Sequence, residues 1–105
     1  MAIVTNVHVH QPRIAEVVEK VTAELAPDVV YIRFNIGEDW SGEPAVFFRV
    51  LLRDEASELP KLSEIARGVK SMLRRELRPY QLGIWAYFDF RSVSEQAEMQ
   101  EAAWA

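Results

Sequence analysis

The chain has no cysteine and only four glycines in 105 residues. Without cysteine there is no disulfide framework, no thiolate metal site and no cysteine nucleophile, which fits a reducing compartment and makes the cytoplasm the expected location. The scarce glycines form no phosphate-binding run, no serine sits in a nucleophile elbow, and no helical stretch carries the paired histidines of a zinc protease. No apolar run approaches the roughly 20 residues of a membrane helix, and residues 1–10 lack the basic start and apolar centre of a signal peptide. The expectation is a chain that binds rather than catalyses, with no catalytic residues, no cofactor, no metal and no membrane contact.

What is present is a large apolar fraction, 50% of the residues, and a net charge of −4. A chain of this size fits one domain, residues 1–105, that buries about 60 to 70% of its unfolded surface around a single core. The acidic balance, with an isoelectric point near 5.2, disfavours nucleic acid, which is usually met by a basic footprint.

Hydrophobic spacing divides the chain. Ile14, Val17, Val18, Val21 and Leu25 recur at helical intervals, with Pro12 in the favoured first turn and Pro27 after the last. Residues 29–36 alternate Val30, Ile32, Phe34 and Ile36 with Tyr31, Arg33 and Asn35, the period of a half-buried strand. Val46, Phe48, Val50 and Leu52 form the apolar row of a second strand, joined to the first by a polar, glycine-containing turn. Leu59, Leu62, Ile65, Ala66, Val69, Met72, Leu73 and Leu77 mark a longer helix ended by Pro79; Leu82, Ile84, Ala86, Phe88 and Phe90 mark a third strand. Ser92 and Glu95 have capping-box spacing ahead of an acidic tail, residues 92–105, that carries Glu95, Glu98 and Glu101, no basic residue, and Trp104 as its one large anchor.

Residues 2–10 alternate as well. As a strand they complete a ferredoxin-like βαββαβ order; as an N-terminal arm they precede αββαβ. Either way the fold class is α+β, a small two-layer sandwich with a three- or four-stranded, mainly antiparallel sheet and two helices on one face.

The other face then gathers Tyr31, Arg33, Phe47, Arg49, Leu51, Trp85, Tyr87 and Arg91, aromatics and arginines at alternate positions. These types are enriched at the centres of protein interfaces, and large apolar patches are seldom left bare on a monomer. Arginine stems lying over rings within one protomer are the simpler alternative. Trp40, at the tip of the loop 37–44, either folds onto the domain or enters a partner.

Six of the twelve basic residues lie on the second helix, and Arg67, Lys70, Arg74 and Arg78 fall in one stripe opposite its apolar side. A solvated helix face, favoured near a carboxyl end by the helix dipole, accounts for the stripe; so does an acidic partner, including the chain's own tail. Asp54 or Ser57 is a candidate cap for this helix. His8 and His10 share one side of the first segment if it is a strand, but no third metal ligand accompanies them.

The resulting expectation is a non-catalytic protein-interaction or oligomerisation module, most simply a dimer, that binds through the aromatic and arginine face. Size and charge suit a small regulatory or antitoxin-like bacterial subunit. The alternative is an RNA or single-stranded nucleic-acid module using the same face or the basic helix. RNA-binding plaits share that architecture, but 44–51, P-A-V-F-F-R-V-L, lacks the glycine between a basic residue and aromatics that marks their strand motif.

Overall fold

The computed structural model describes residues 7–105. A 3₁₀ turn, Val7–His10, leads into α1, Gln11–Glu24, and then come β1, Val29–Glu38, and β2, Pro44–Leu52. After a short 3₁₀ turn, Asp54–Ala56, the chain forms α2, Lys61–Leu77, a 3₁₀ turn Pro79–Leu82, and β3, Trp85–Ser92. It closes with α3, Val93–Met99, and a last turn, Ala102–Trp104.

The sheet has three strands in the order β1-β2-β3 among the described residues. β1 and β2 are an antiparallel hairpin; β2 and β3 run parallel. Parallel neighbours need a long crossover, and α2 supplies it. The sheet is therefore mixed rather than mainly antiparallel. In a ferredoxin-like order the first strand would separate the two strands here called β2 and β3, which instead are direct hydrogen-bonded neighbours. Residues 7–10 turn as a 3₁₀ segment, so His8 and His10 do not share the side of a strand. The rest of the expected N-terminal strand, residues 1–6, lies outside the described residues.

The two long helices cover one sheet face, as their single apolar stripes require. Ile14, Val17, Val18 and Val21 of α1 and Val69, Leu73 and Leu77 of α2 bury against Val29, Ile32, Val46, Phe48, Val50 and Leu52. Phe48 lies at the centre, stacked on Phe88 with ring centroids 5.3 Å apart. Away from the sheet the helices are tied together by Lys20 and Glu76 at 3.3 Å and by Arg13 donating to the Glu76 carbonyl at 3.2 Å.

Two local departures from simple alternation have clear causes. The register slips between Val29 and Tyr31, a bulge that turns Val29 inward and leaves Val30 exposed, although alternation had placed Val30 in the core row. β3 begins at Trp85 rather than Leu82, because Pro79 opens a 3₁₀ turn that ends on Gly83 at φ 76°, a left-handed conformation that glycine accommodates without strain. Asp54 does not cap α2. Its carboxylate accepts from the Ser94 backbone at 3.0 Å and from the Ser94 hydroxyl, fastening the start of α3 beside the capping box that Ser92 and Glu95 form as expected.

Leu73 is fully buried where α2 meets the sheet. Leu73→Ala should lower unfolding stability by about 2 to 5 kcal/mol, the usual cost of lost transfer energy plus a cavity, read from urea denaturation.

Candidate functional site: the open face of the sheet

Strand register arranges the face away from the helices into four rungs. They are Gly37, Ala45 and Trp85; Asn35, Phe47 and Tyr87; Arg33, Arg49 and Asp89; and Tyr31, Leu51 and Arg91. Successive rungs are two residues apart, about 7 Å along the strands. The face thus runs from an aromatic end, through a charged rung, to an end where Leu51 sits between a tyrosine and an arginine.

The chain's own C-terminus closes that last end. Trp104 is only 3% exposed, and the Arg91 guanidinium lies 4.4 Å from the centroid of its indole. Tyr31 donates its hydroxyl proton to the Trp104 carbonyl, and Arg33 Nε donates to the Ala105 carbonyl at 2.9 Å. Arg91 also pairs with Glu101 at 2.7 Å and donates to Gln96 at 2.9 Å. Leu51, flanked in register by two residues that both touch Trp104, is 5% exposed yet stands apart from the main core. The acidic tail therefore folds onto the sheet, not onto the basic stripe of α2. Arg33 and Arg49 oppose each other across β1 and β2, ordinarily an unfavourable pairing. The stack of Arg33 on the Tyr31 ring at 4.0 Å, together with its bond to Ala105, draws its charge toward the tail.

The other end is open. Phe47 and Tyr87 stack with centroids 5.4 Å apart, and Trp40 leans on Tyr87 at 5.3 Å from the hairpin loop while remaining 84% exposed. Trp85 is 57% exposed. Trp40 thus does both things open to a loop-tip indole: one side rests on the domain and most of it stays in water.

Asp39 fixes this arrangement. Its carboxylate accepts from the Ser41 hydroxyl at 2.7 Å, the Ser41 N–H at 2.9 Å, the Glu43 N–H at 3.0 Å and the Tyr87 hydroxyl at 2.7 Å. These donors, led by the Ser41 hydroxyl and then Tyr87, favour the charged form and hold its carboxyl down at about 2. The same bond, first among its causes, raises the Tyr87 phenol above its ordinary value. Asp39 so binds the tip of the hairpin to β3, with Gly42 at φ 83° completing the turn.

Of the basic stripe, Arg67 is exposed, Lys70 lies 5.8 Å from the Phe90 centroid and Arg74 lies 5.3 Å from that of Phe88. Their stems shade two half-buried rings at the free side of β3. Arg78 ends the helix in a left-handed conformation, φ 48°. None of the four is ion-paired among the described residues. Arg53, just past the end of β2, binds Asp28 at 2.7 Å, with Lys61 on the same oxygen at 3.4 Å; Arg53 first, then Lys61, lowers the Asp28 carboxyl against the opposing effect of burial.

Sequence reasoning passed over Asp39 as a tether, because its partner Tyr87 is 48 residues distant. It also passed over Tyr80 and Arg75, which stand beside Trp85 at a recess off the end of α2; the adjacency of Pro79 and Tyr80 to the basic helix end was the signal available. Among the described residues no group of three or more histidines, aspartates or glutamates is placed to hold a metal ion, and no helix is long and apolar enough to cross a membrane.

Comparison with protein-family models, curated proteins and solved structures finds no match. The surface is accordingly read from its own chemistry.

Trp104→Ala should cost about 3 kcal/mol, at the lower end for a buried tryptophan, and should increase binding of an apolar dye as Leu51 is uncovered. A loss below about 1 kcal/mol in urea unfolding would show that the tail is not held as described. Asp39, with a depressed carboxyl, contributes stability that is complete above its unfolded value near pH 4 and is lost as pH falls through about 2. Thermal midpoints of Asp39→Asn should fall less steeply than those of the parent over that window, with the remaining slope carried by Asp28 and Asp54, whose carboxyls are also lowered.

Proposed function

We propose that this protein is a non-catalytic interaction module whose partner is a second copy of itself, joined at the β3 side of the open face. The observation that carries this reading is the free edge of β3. The sheet order leaves β3 paired on one side alone among the described residues, so a row of backbone N–H and C=O groups points outward. Trp85 and Tyr87 stand on that edge strand, with Phe47 and Trp40 packed against Tyr87, while the tail shields only the opposite end of the face.

Antiparallel pairing of two β3 strands about a two-fold axis would extend the sheet and shelter the aromatics of both copies. Full burial of a large apolar side chain contributes about 1.5 to 3 kcal/mol, and two copies each bring exposed Trp40 and Trp85. The rung between the open and closed ends carries Arg49 and Asp89, one charge of each sign, which suits a self-complementary surface. Protective devices along β3 are few: there is no proline, and Asp89 is its one exposed charge, Arg91 being partly covered. A small regulatory subunit of the antitoxin-like kind is compatible with such a module. The cations of α2 favour a second reading, contact with nucleic acid, with Trp85 as the stacking surface.

Sedimentation equilibrium should give a dimer at about 100 μM protein, near the range expected for a modest interface. Trp40→Ala, a change at an exposed loop tip, should weaken the dimer at least about tenfold with an unchanged circular dichroism spectrum. A monomer at every concentration up to about 1 mM would overturn the reading.

A further inference from the structure

Off the carboxyl end of α2 lies a recess of about 540 Å³, bounded by Arg74, Arg75, Arg78, Tyr80, Ile84 and Trp85. Its volume falls within the range of roughly 300 to 1,000 Å³ typical of small-ligand sites. The groove on the open face beside Phe47 and Tyr87 holds only about 160 Å³. The recess combines two chemistries. Three arginines are among its lining residues, and no carboxylate is. Two aromatic residues, Tyr80 at 84% and Trp85 at 57% exposure, line it as well, together with buried Ile84.

The charge is not consumed locally. Glu76, the one carboxylate of the last helical turn, faces α1 and is bound to Lys20 at 3.3 Å. Arg74, Arg75 and Arg78 make no ion pair among the described residues. The partial negative charge at the helix end, about half an elementary charge, offsets only a fraction of three cations. Arg78 occupies the left-handed position that ends the helix, where glycine is the favoured residue and a β-carbon brings strain. Glycine would avoid that strain, and the helix dipole's modest attraction for the guanidinium is all that an arginine returns to the helix end itself.

The geometry points to a site for a nucleoside phosphate, its base against Trp85 and Tyr80 and its phosphate among Arg74, Arg75 and Arg78. Guanidinium groups match phosphate oxygens in pairs, and a heteroaromatic base stacks on an indole or phenol whatever its sequence. The compactness of the cluster fits a single nucleotide unit better than a long strand, whose many phosphates would meet a chain of net charge −4. A free mononucleotide and the 5′-phosphorylated end of a single strand present the same chemistry. The site shares Trp85 with the proposed dimer surface, while Trp40, Phe47 and Tyr87 lie outside its lining.

Titration of the full chain with adenosine and uridine monophosphates, followed by amide and indole nuclear magnetic resonance, tests this directly. Saturable shifts are expected at the Trp85 indole N–H and at residues 74–83, with a dissociation constant below about 1 mM. The nucleosides alone and inorganic phosphate should each bind at least about tenfold more weakly, because each keeps only one half of the contacts. Arg75→Ala and Arg78→Gly should each weaken binding about tenfold or more, and Arg78→Gly should leave the thermal midpoint unchanged or raised. Trp40→Ala should leave nucleotide binding intact, so loss of the dimer and loss of this site are separable. Tighter binding of a 5′-phosphorylated oligonucleotide than of its unphosphorylated twin and of the mononucleotide identifies a strand end as the source; equal affinity for mononucleotide and phosphorylated strand identifies the free nucleotide. No saturation by 10 mM mononucleotide (on the order of the weakest small-ligand binding), equal binding of inorganic phosphate, or undiminished binding by Arg78→Gly would overturn the assignment.

Discussion

The structure depends on the burial of β2. This strand is hydrogen-bonded along both edges, and Ala45, Val46, Phe48, Val50, Leu51 and Leu52 are all buried, so it needs cover on both faces. Antiparallel sheets commonly leave one face to water, whereas parallel pairing goes with cover on both. This sheet is half of each kind. α1 and α2 cover one face, fully over β2 and partly over its two neighbours, and the tail closes the other only where β2 presents Leu51.

That partial closure organises the charges. Arg91 does not stand in solvent but lies between the Trp104 indole, Glu101 and Gln96, where a flat guanidinium can stack and hydrogen-bond at once. Asp28 collects Arg53 and Lys61 at the start of the sheet, and Asp39 fastens the hairpin tip to Tyr87 at the other end. With these carboxylates engaged, the uncompensated positive charge of an acidic chain is concentrated on the far side of α2. The open aromatic rungs and the cationic helix end meet at Trp85, the residue that belongs to both surfaces.

Much of this was legible in the sequence because it is local. A period of two assigned the strand faces, and Phe48, Val50 and Leu52 lie inward as their spacing requires. A period of 3.6 assigned the helix stripes, and a serine three residues ahead of a glutamate marked the start of α3. Even the opposing row of tyrosine, phenylalanine, tryptophan and arginine could be named before any neighbour was known.

The sequence by itself determined which side chains share a face, since that follows from backbone geometry over a few residues. Only the tertiary structure decided that β3 runs parallel beside β2, that Val30 is turned out by a bulge, that His8 and His10 lie in a turn, and that Trp104 seals Leu51 while Trp85 stays open. Those outcomes rest on contacts between residues as far apart as Tyr31 and Trp104, 73 positions along the chain. Neither side-chain period carries information over such a distance; it is settled by which surfaces, once formed, bury the most apolar area without stranding a polar group.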